Sequence, residues 1–198
     1  MKLKQITCVL FLFSLLFITP DYSYGQIGKG NKIIGGNFGL SYHNSNSEMY
    51  NSNSGNFRVS PSFGYFITDR SLIGISPSIS YSVFSSTFEP ESTRYWGLGT
   101  ELFFRRFFKV SEKFQFYLEP NVGYHRSDRD QYRDRNFHVS LSPGLAYLVS
   151  GKFWLEAKFG GISYLQTQWG PDGQFNTRQY ISAGITSYSS IGLFFILK

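Results

Sequence analysis

The stretch Ile73-Gly-Ile-Ser-Pro-Ser-Ile-Ser-Tyr-Ser-Val83 sets apolar residues, proline and tyrosine at every odd position and glycine or serine at every even one. Successive side chains of a β-strand point to opposite faces, so this is a strand with one greasy face and one small polar face. The same period recurs along the chain and predicts eight strands, near 32–43, 55–67, 72–84, 94–108, 114–125, 136–149, 153–164 and 180–197. The apolar faces are rich in aromatic and aliphatic residues. The opposite faces are small or hydrogen-bonding enough to line a narrow interior. Such a pattern belongs to a β-barrel whose greasy side faces lipid.

The predicted connections alternate in character. Thr68 to Ser71, Lys109 to Lys113 and Ser150 to Lys152 are tight, whereas 44–54, 85–93, 126–135 and 165–179 are long and polar. Outer-membrane barrels put short turns on the periplasmic side and long loops outside, and an even strand number brings both termini to the periplasmic side. Tyr42, Tyr81 and Tyr124 close ascending strands, while Tyr65 and Tyr147 close descending ones. Tyrosines therefore stand at both expected water–lipid boundaries. The fold expected is all-β: an eight-stranded antiparallel up-and-down transmembrane barrel.

The N-terminus reads as an export signal. Met-Lys-Leu-Lys precedes an apolar run from Ile6 to Ile18, and Ser23-Tyr-Gly25 supplies small residues at −3 and −1 of a cleavage site. The run is too short to span a bilayer as a helix. The expected organisation is thus a signal peptide over 1–25 and one barrel domain over 26–198. Cys8, the only cysteine, lies inside the signal, so the exported chain needs no disulfide or thiolate chemistry.

The formal charge is +6. Nucleic acid is not an expected partner, because the arginines alternate with aspartates instead of forming a positive stripe and an exported chain rarely meets it. An acidic surface such as lipopolysaccharide fits better. Its candidate contact is Arg126-Ser-Asp-Arg-Asp-Gln-Tyr-Arg-Asp-Arg135, in which Arg126, Arg129, Arg133 and Arg135 offer bidentate donors for phosphate or sugar acids.

On the inward faces Arg58, Arg105 and Lys158 stand among Glu101, Glu119 and Glu156. An eight-stranded barrel is only wide enough inside to be filled by side chains, and charges there must be paired to offset desolvation. The expectation is a salt-bridged plug, not a wide pore.

Other chemistry is weaker. His138 and Ser140 share a strand face with a spacing similar to the His and Ser of the lipid A deacylase barrel, but a triad also needs an oriented acid. His43, His125 and His138 fall near the outer mouth, where histidines are more often hydrated than metal-bound, and no cysteine or ordered carboxylate cluster assists them. No catalytic, cofactor or metal residue is assigned, and the chain is not expected to be an enzyme.

Four segments repeat one pattern: Ser60-Pro-Ser-Phe-Gly-Tyr65, Ser76-Pro-Ser-Ile-Ser-Tyr81, Glu119-Pro-Asn-Val-Gly-Tyr124 and Ser142-Pro-Gly-Leu-Ala-Tyr147. With Phe66-Ile-Thr-Asp-Arg70 after the first copy, the chain resembles the small porin-like, OmpA/OmpX-like outer-membrane β-barrel proteins common in Bacteroidota. The resemblance implies an eight-stranded up-and-down barrel in the cell outer membrane, with no agreed biochemical activity for most members. The partners expected are membrane lipid and the outer-membrane assembly machinery, and the expected state is a monomer. Two features depart from the pattern. Proline inside a strand removes a ladder donor, and the C-terminus ends on Lys198 where many such barrels end on an aromatic. The function expected is envelope integrity or surface interaction. The alternatives are a secreted lipocalin-like barrel carrying a small apolar ligand, a narrow pore and a lipid-modifying enzyme.

Overall fold

A computed structural model describes residues 28–46, 51–87, 92–129, 132–171 and 175–198. The expected signal peptide and the tips of the four long connections lie outside the described residues. The strands are β1 (Lys32–Asn46), β2 (Asn51–Thr68), β3 (Ser71–Ser86), β4 (Thr93–Lys109), β5 (Phe114–Arg129), β6 (Tyr132–Ser150), β7 (Phe153–Pro171) and β8 (Asn176–Leu197). They form one closed antiparallel barrel in chain order, β8 meeting β1.

The strands run further outward than periodicity suggests. Most of 126–135 and 165–179, expected as loop, is paired strand: Arg126 stands opposite Arg135, and Trp169 opposite Asn176. Polar residues extend a ladder as well as apolar ones once two strands are in register, because the backbone groups make the bonds. The short connections fall where expected, at Asp69–Arg70, 110–113 and Gly151–Lys152.

Face polarity is that of a membrane wall. Phe63, Ile75, Ile79, Leu102, Val122 and Leu145 are exposed on the outside, whereas Arg105, Glu119 and Glu156 are buried within. A secreted ligand carrier requires the opposite arrangement, so the lipocalin-like alternative is set aside. Ile79→Arg on the outer face should therefore cost about 2–4 kcal/mol in a bilayer. The inward Ser78→Arg should cost far less. Urea unfolding in lipid vesicles measures both, and a larger penalty for Ser78→Arg would reverse the face assignment.

One sequence expectation needs correcting. The interior is not polar throughout: Ile33, Phe66, Leu72, Phe103, Phe107, Tyr117, Ala146, Leu148, Trp154, Phe194 and Ile196 form a buried cluster at the end of the short turns. Trp154 stacks on Phe194 at 5.5 Å and meets Phe66 and Phe107 edge-on. Glycines on neighbouring strands make room for such rings, for a Cβ at Gly74 would strike Phe103 and one at Gly144 would strike Tyr117.

The strand prolines sit where a ladder is interrupted. Pro61 and Pro77 fall in one gap, since β2 and β3 pair through Val59–Ile79 and resume at Phe63–Ile75 without changing register. Across that gap the hydroxyls of Ser62 and Ser76 are 2.6 Å apart. Pro120 falls in the β4–β5 gap between the Phe103–Asn121 and Arg106–Leu118 pairs. Only Pro143 lies at a register-shifting bulge, between Leu141 and Gly144 on β6. Three of the four thus share or occupy a gap in which the missing N–H deprives no regular ladder pair.

Candidate functional site

The interior has three levels along the barrel axis. The lowest is the aromatic floor. Directly above it β4, β5 and β7 bring Arg105, Glu119, Glu156 and Lys158 together. The β4–β5 register sets Arg105 across from Glu119, and Glu156 and Lys158 lie two residues apart on the same face of β7. Arg105 donates from Nε to Glu119 Oε2 at 2.8 Å and from Nη1 to Glu156 Oε2 at 2.6 Å. Lys158 Nζ donates to Glu119 Oε1 at 2.9 Å. The Arg105 guanidinium lies over the Tyr117 ring at 4.3 Å, which seats the charges on the floor.

Two cations and two carboxylates make this group neutral as a unit. Arginine's planar fork engages both carboxylates at once, which a lysine point charge does not. Arg105, Glu119 and Glu156 are almost wholly buried. In such a place each charge offsets the desolvation of its neighbours, and removing one leaves an uncompensated ion.

The upper level is a chamber of about 450 Å³, lined by serines together with Arg58, Glu101, His125 and His138, with Arg105, Glu119, Glu156 and Lys158 of the charged layer also on its wall. His138 Nε2 is 3.1 Å from Glu101 Oε2, and Lys158 Nζ is 3.8 Å from Glu101 Oε1. His125 Nε2 is 3.1 Å from Ser80 Oγ. Gly123 opposite His138, and Gly97 beside His125, leave space for the two rings.

The structure therefore brings together five of the six interior charges read from the sequence. Arg58 stands apart, exposed to the chamber and without an acidic partner among the described residues. Periodicity places a residue on a face but not at a height, so it does not separate Arg58 from the layer below. The His138–Glu101 contact and the aromatic floor were missed for the same reason. The rings Phe103, Phe107, Trp154 and Phe194 at odd or even positions near the turns were the available signal for the floor.

His138 and Ser140 do not engage each other. His138 turns to Glu101, and Ser140 Oγ donates to Asn121 Oδ1 at 2.7 Å. Among the described residues no group of three or more His, Cys, Asp and Glu is placed to hold a metal ion. The side chain of His43 lies outside them.

Outside the wall, Arg126, Asp128, Arg133 and Arg135 share the outward face of the β5–β6 hairpin. Arg126 binds Asp128 through Nε and a second nitrogen, both at 3.0 Å, and Arg133 Nε is 3.7 Å from the same carboxylate. Arg135 lies over the Phe175 ring at 4.6 Å. The side chain of Arg129 lies outside the described residues.

A family profile described as outer membrane protein beta-barrel domain matches residues 9–186. The chain belongs to that family. Its place is the bacterial outer membrane, as the lipid-facing wall requires. Among solved structures, OprG of Pseudomonas aeruginosa is similar at 13% identity, with 86% of this chain and 97% of OprG covered and a TM-score of 0.53. The N-terminal β-barrel domain of Pseudomonas aeruginosa OprF matches at 16% identity over 86% of this chain and 99% of its own, with a TM-score of 0.42. Neisserial surface protein A matches at 15% identity over 85% and 97%, with a TM-score of 0.44. At these identities the likeness to OprG concerns the fold alone. The comparison with curated proteins gives no match.

Proposed function

We propose that this chain is a non-enzymatic, monomeric outer-membrane barrel of the Bacteroidota type that serves envelope integrity or surface interaction. The observation that carries the reading is the buried layer Arg105–Glu119–Glu156–Lys158 over its aromatic floor. A barrel filled in its lower half is a wall and an anchor, and its working parts are the chamber and hairpins facing outward. Purified protein in planar bilayers should show a heat-modifiable gel shift with little conductance. A large, stable single-channel current would overturn the occluded barrel.

The outward hairpin is the contact surface of this reading, with lipopolysaccharide phosphates or sugar acids as its partner. Arg126, Arg133 and Arg135 share one face beyond the Tyr124–Phe137 pair of the β5–β6 ladder, and Arg129 belongs to the same stretch. The test replaces Arg126, Arg129, Arg133 and Arg135 by glutamine and measures binding to purified lipopolysaccharide against salt. Binding should weaken about tenfold or more at low salt and lose most of its salt dependence. Unchanged affinity discards the arginine role, and lipid hydrolysis by the wild-type protein would place it among enzymes.

A further inference from the structure

The ladder that closes the barrel is short. β1 and β8 pair from Lys32–Leu197 only as far as Asn37–Gly192. Above that point, among the described residues, the ladder of β1 from Phe38 to Asn46 is with β2, and the ladder of β8 on its other side is with β7. β8 also carries an insertion there: Phe159 pairs with Ser189 and Gly161 with Gly184, so four residues of β8 oppose Gly160.

Side-chain exposure marks the same opening. Phe38, Leu40 and Tyr42 are 70%, 81% and 72% exposed, above Leu98 and Trp96 at 65% and 61%, which are, among the described residues, the most exposed outer apolar side chains on strands paired on both sides. On the far edge Ile181 and Ile191 are 81% and 69% exposed. A Cβ added at Gly39 would meet nothing within 4 Å. The chamber is lined by Asn37, Phe38 and Gly39 from one edge and by Ser190 from the other, so it reaches the opening.

From Phe38 to Tyr42 the unpaired edge spans roughly 13 Å at strand rise, up to the outer tyrosine boundary. An open sheet edge does not persist against hydrocarbon, because its N–H and C=O groups need partners. The polar chamber reaches this edge from inside, so the oxygens of an anionic head held there are within the reach of edge N–H groups while an attached apolar tail faces the lipid. Arg58 decides the kind of guest. It lies directly across from Gly39 on one side and Ser80 on the other, and it lines the chamber together with His125. It is the cation of the chamber that lacks an acidic partner among the described residues, whereas Lys158 and His138 are engaged by glutamates.

We propose that the upper β1–β8 seam is a lateral port for a single-chain amphiphile with an anionic head. The head sits in the chamber against Arg58 and the surrounding serine hydroxyls. The hydrocarbon tail leaves through the seam, between Phe38 and Leu40 on one edge and Ile181 and Ile191 on the other, into the outer leaflet. The site is independent of the arginine hairpin, which lies on the outer surface of β5 and β6.

The experiment uses protein purified from the outer membrane and placed in phosphatidylcholine nanodiscs, titrated with dodecanoate, dodecyl phosphate and uncharged dodecanol. Both anions should bind with saturation and dodecanol far more weakly. Arg58→Gln should weaken the anions about tenfold or more with little effect on dodecanol. A preference between the two anions tells a free fatty acid from a phosphate-headed lipid. Equal binding of all three probes, or wild-type anion affinity in Arg58→Gln, would overturn the proposal. A second variant, Phe38→Cys with Ile191→Cys, staples the edges at the first unpaired position. Oxidation should abolish anion binding and reduction restore it, whereas binding indifferent to the staple would remove the port. Cross-linking of Leu40→Cys between two copies would replace it with a strand-paired dimer.

Discussion

Arg105→Met should destabilise the barrel by about 3–5 kcal/mol, because the substitution leaves Glu119 and Glu156 buried with one cation, Lys158, between them. Methionine keeps much of the volume, so the loss is electrostatic and not a cavity. Urea unfolding in lipid vesicles, followed by tryptophan fluorescence and by the heat-modifiable gel shift, measures it. Combining Arg105→Met with Glu156→Gln removes the surplus negative charge and leaves the Lys158–Glu119 pair at 2.9 Å. The double variant should recover a large part of the loss. A single variant within about 1 kcal/mol of wild type would mean that water reaches the layer and screens it.

Trp154→Ala carries a loss of similar size for a different reason. Its ring is fully buried, stacked on Phe194 and bounded edge-on by Phe66 and Phe107. Truncation opens a hole in a packed floor that neighbouring strands, held by their ladders, collapse into only partly. The expected cost is about 3–5 kcal/mol. Trp96→Ala is the control: that ring is exposed on the outer wall, where it touches Tyr81 at 4.8 Å, and should cost about 1 kcal/mol. The same unfolding assay ranks the two, and equal losses would show that the floor is not tightly packed. Conductance of Trp154→Ala adds a second readout, since the charge layer above should still keep current low.

Period-two alternation was enough to read the strand number, the outward faces and the alternation of short and long connections, because each strand meets lipid on one side and a narrow interior on the other. A stretch such as Ile73 to Val83 has one stable orientation under those conditions. Strand ends were less legible. Arg126 to Arg135 has the composition of a loop, yet its backbone continues the β5–β6 ladder to Arg129 and Tyr132.

The interior charges were visible as residues on the inward face, but height along the axis depends on register, which a period-two pattern does not encode. Register set Arg105, Glu119, Glu156 and Lys158 at one level, left Arg58 in the chamber above, and turned His138 to Glu101 instead of Ser140. The seam lay further still from the sequence. Phe38, Leu40 and Tyr42 alternate as regularly as any lipid-facing set, and nothing in that alternation tells a strand with two neighbours from one with a single neighbour. Sequence by itself determined which side of each strand meets lipid, since that follows from local alternation. Only the tertiary structure decided which charges meet and where the wall stops pairing, since both depend on how far each strand slides along the next before the barrel closes.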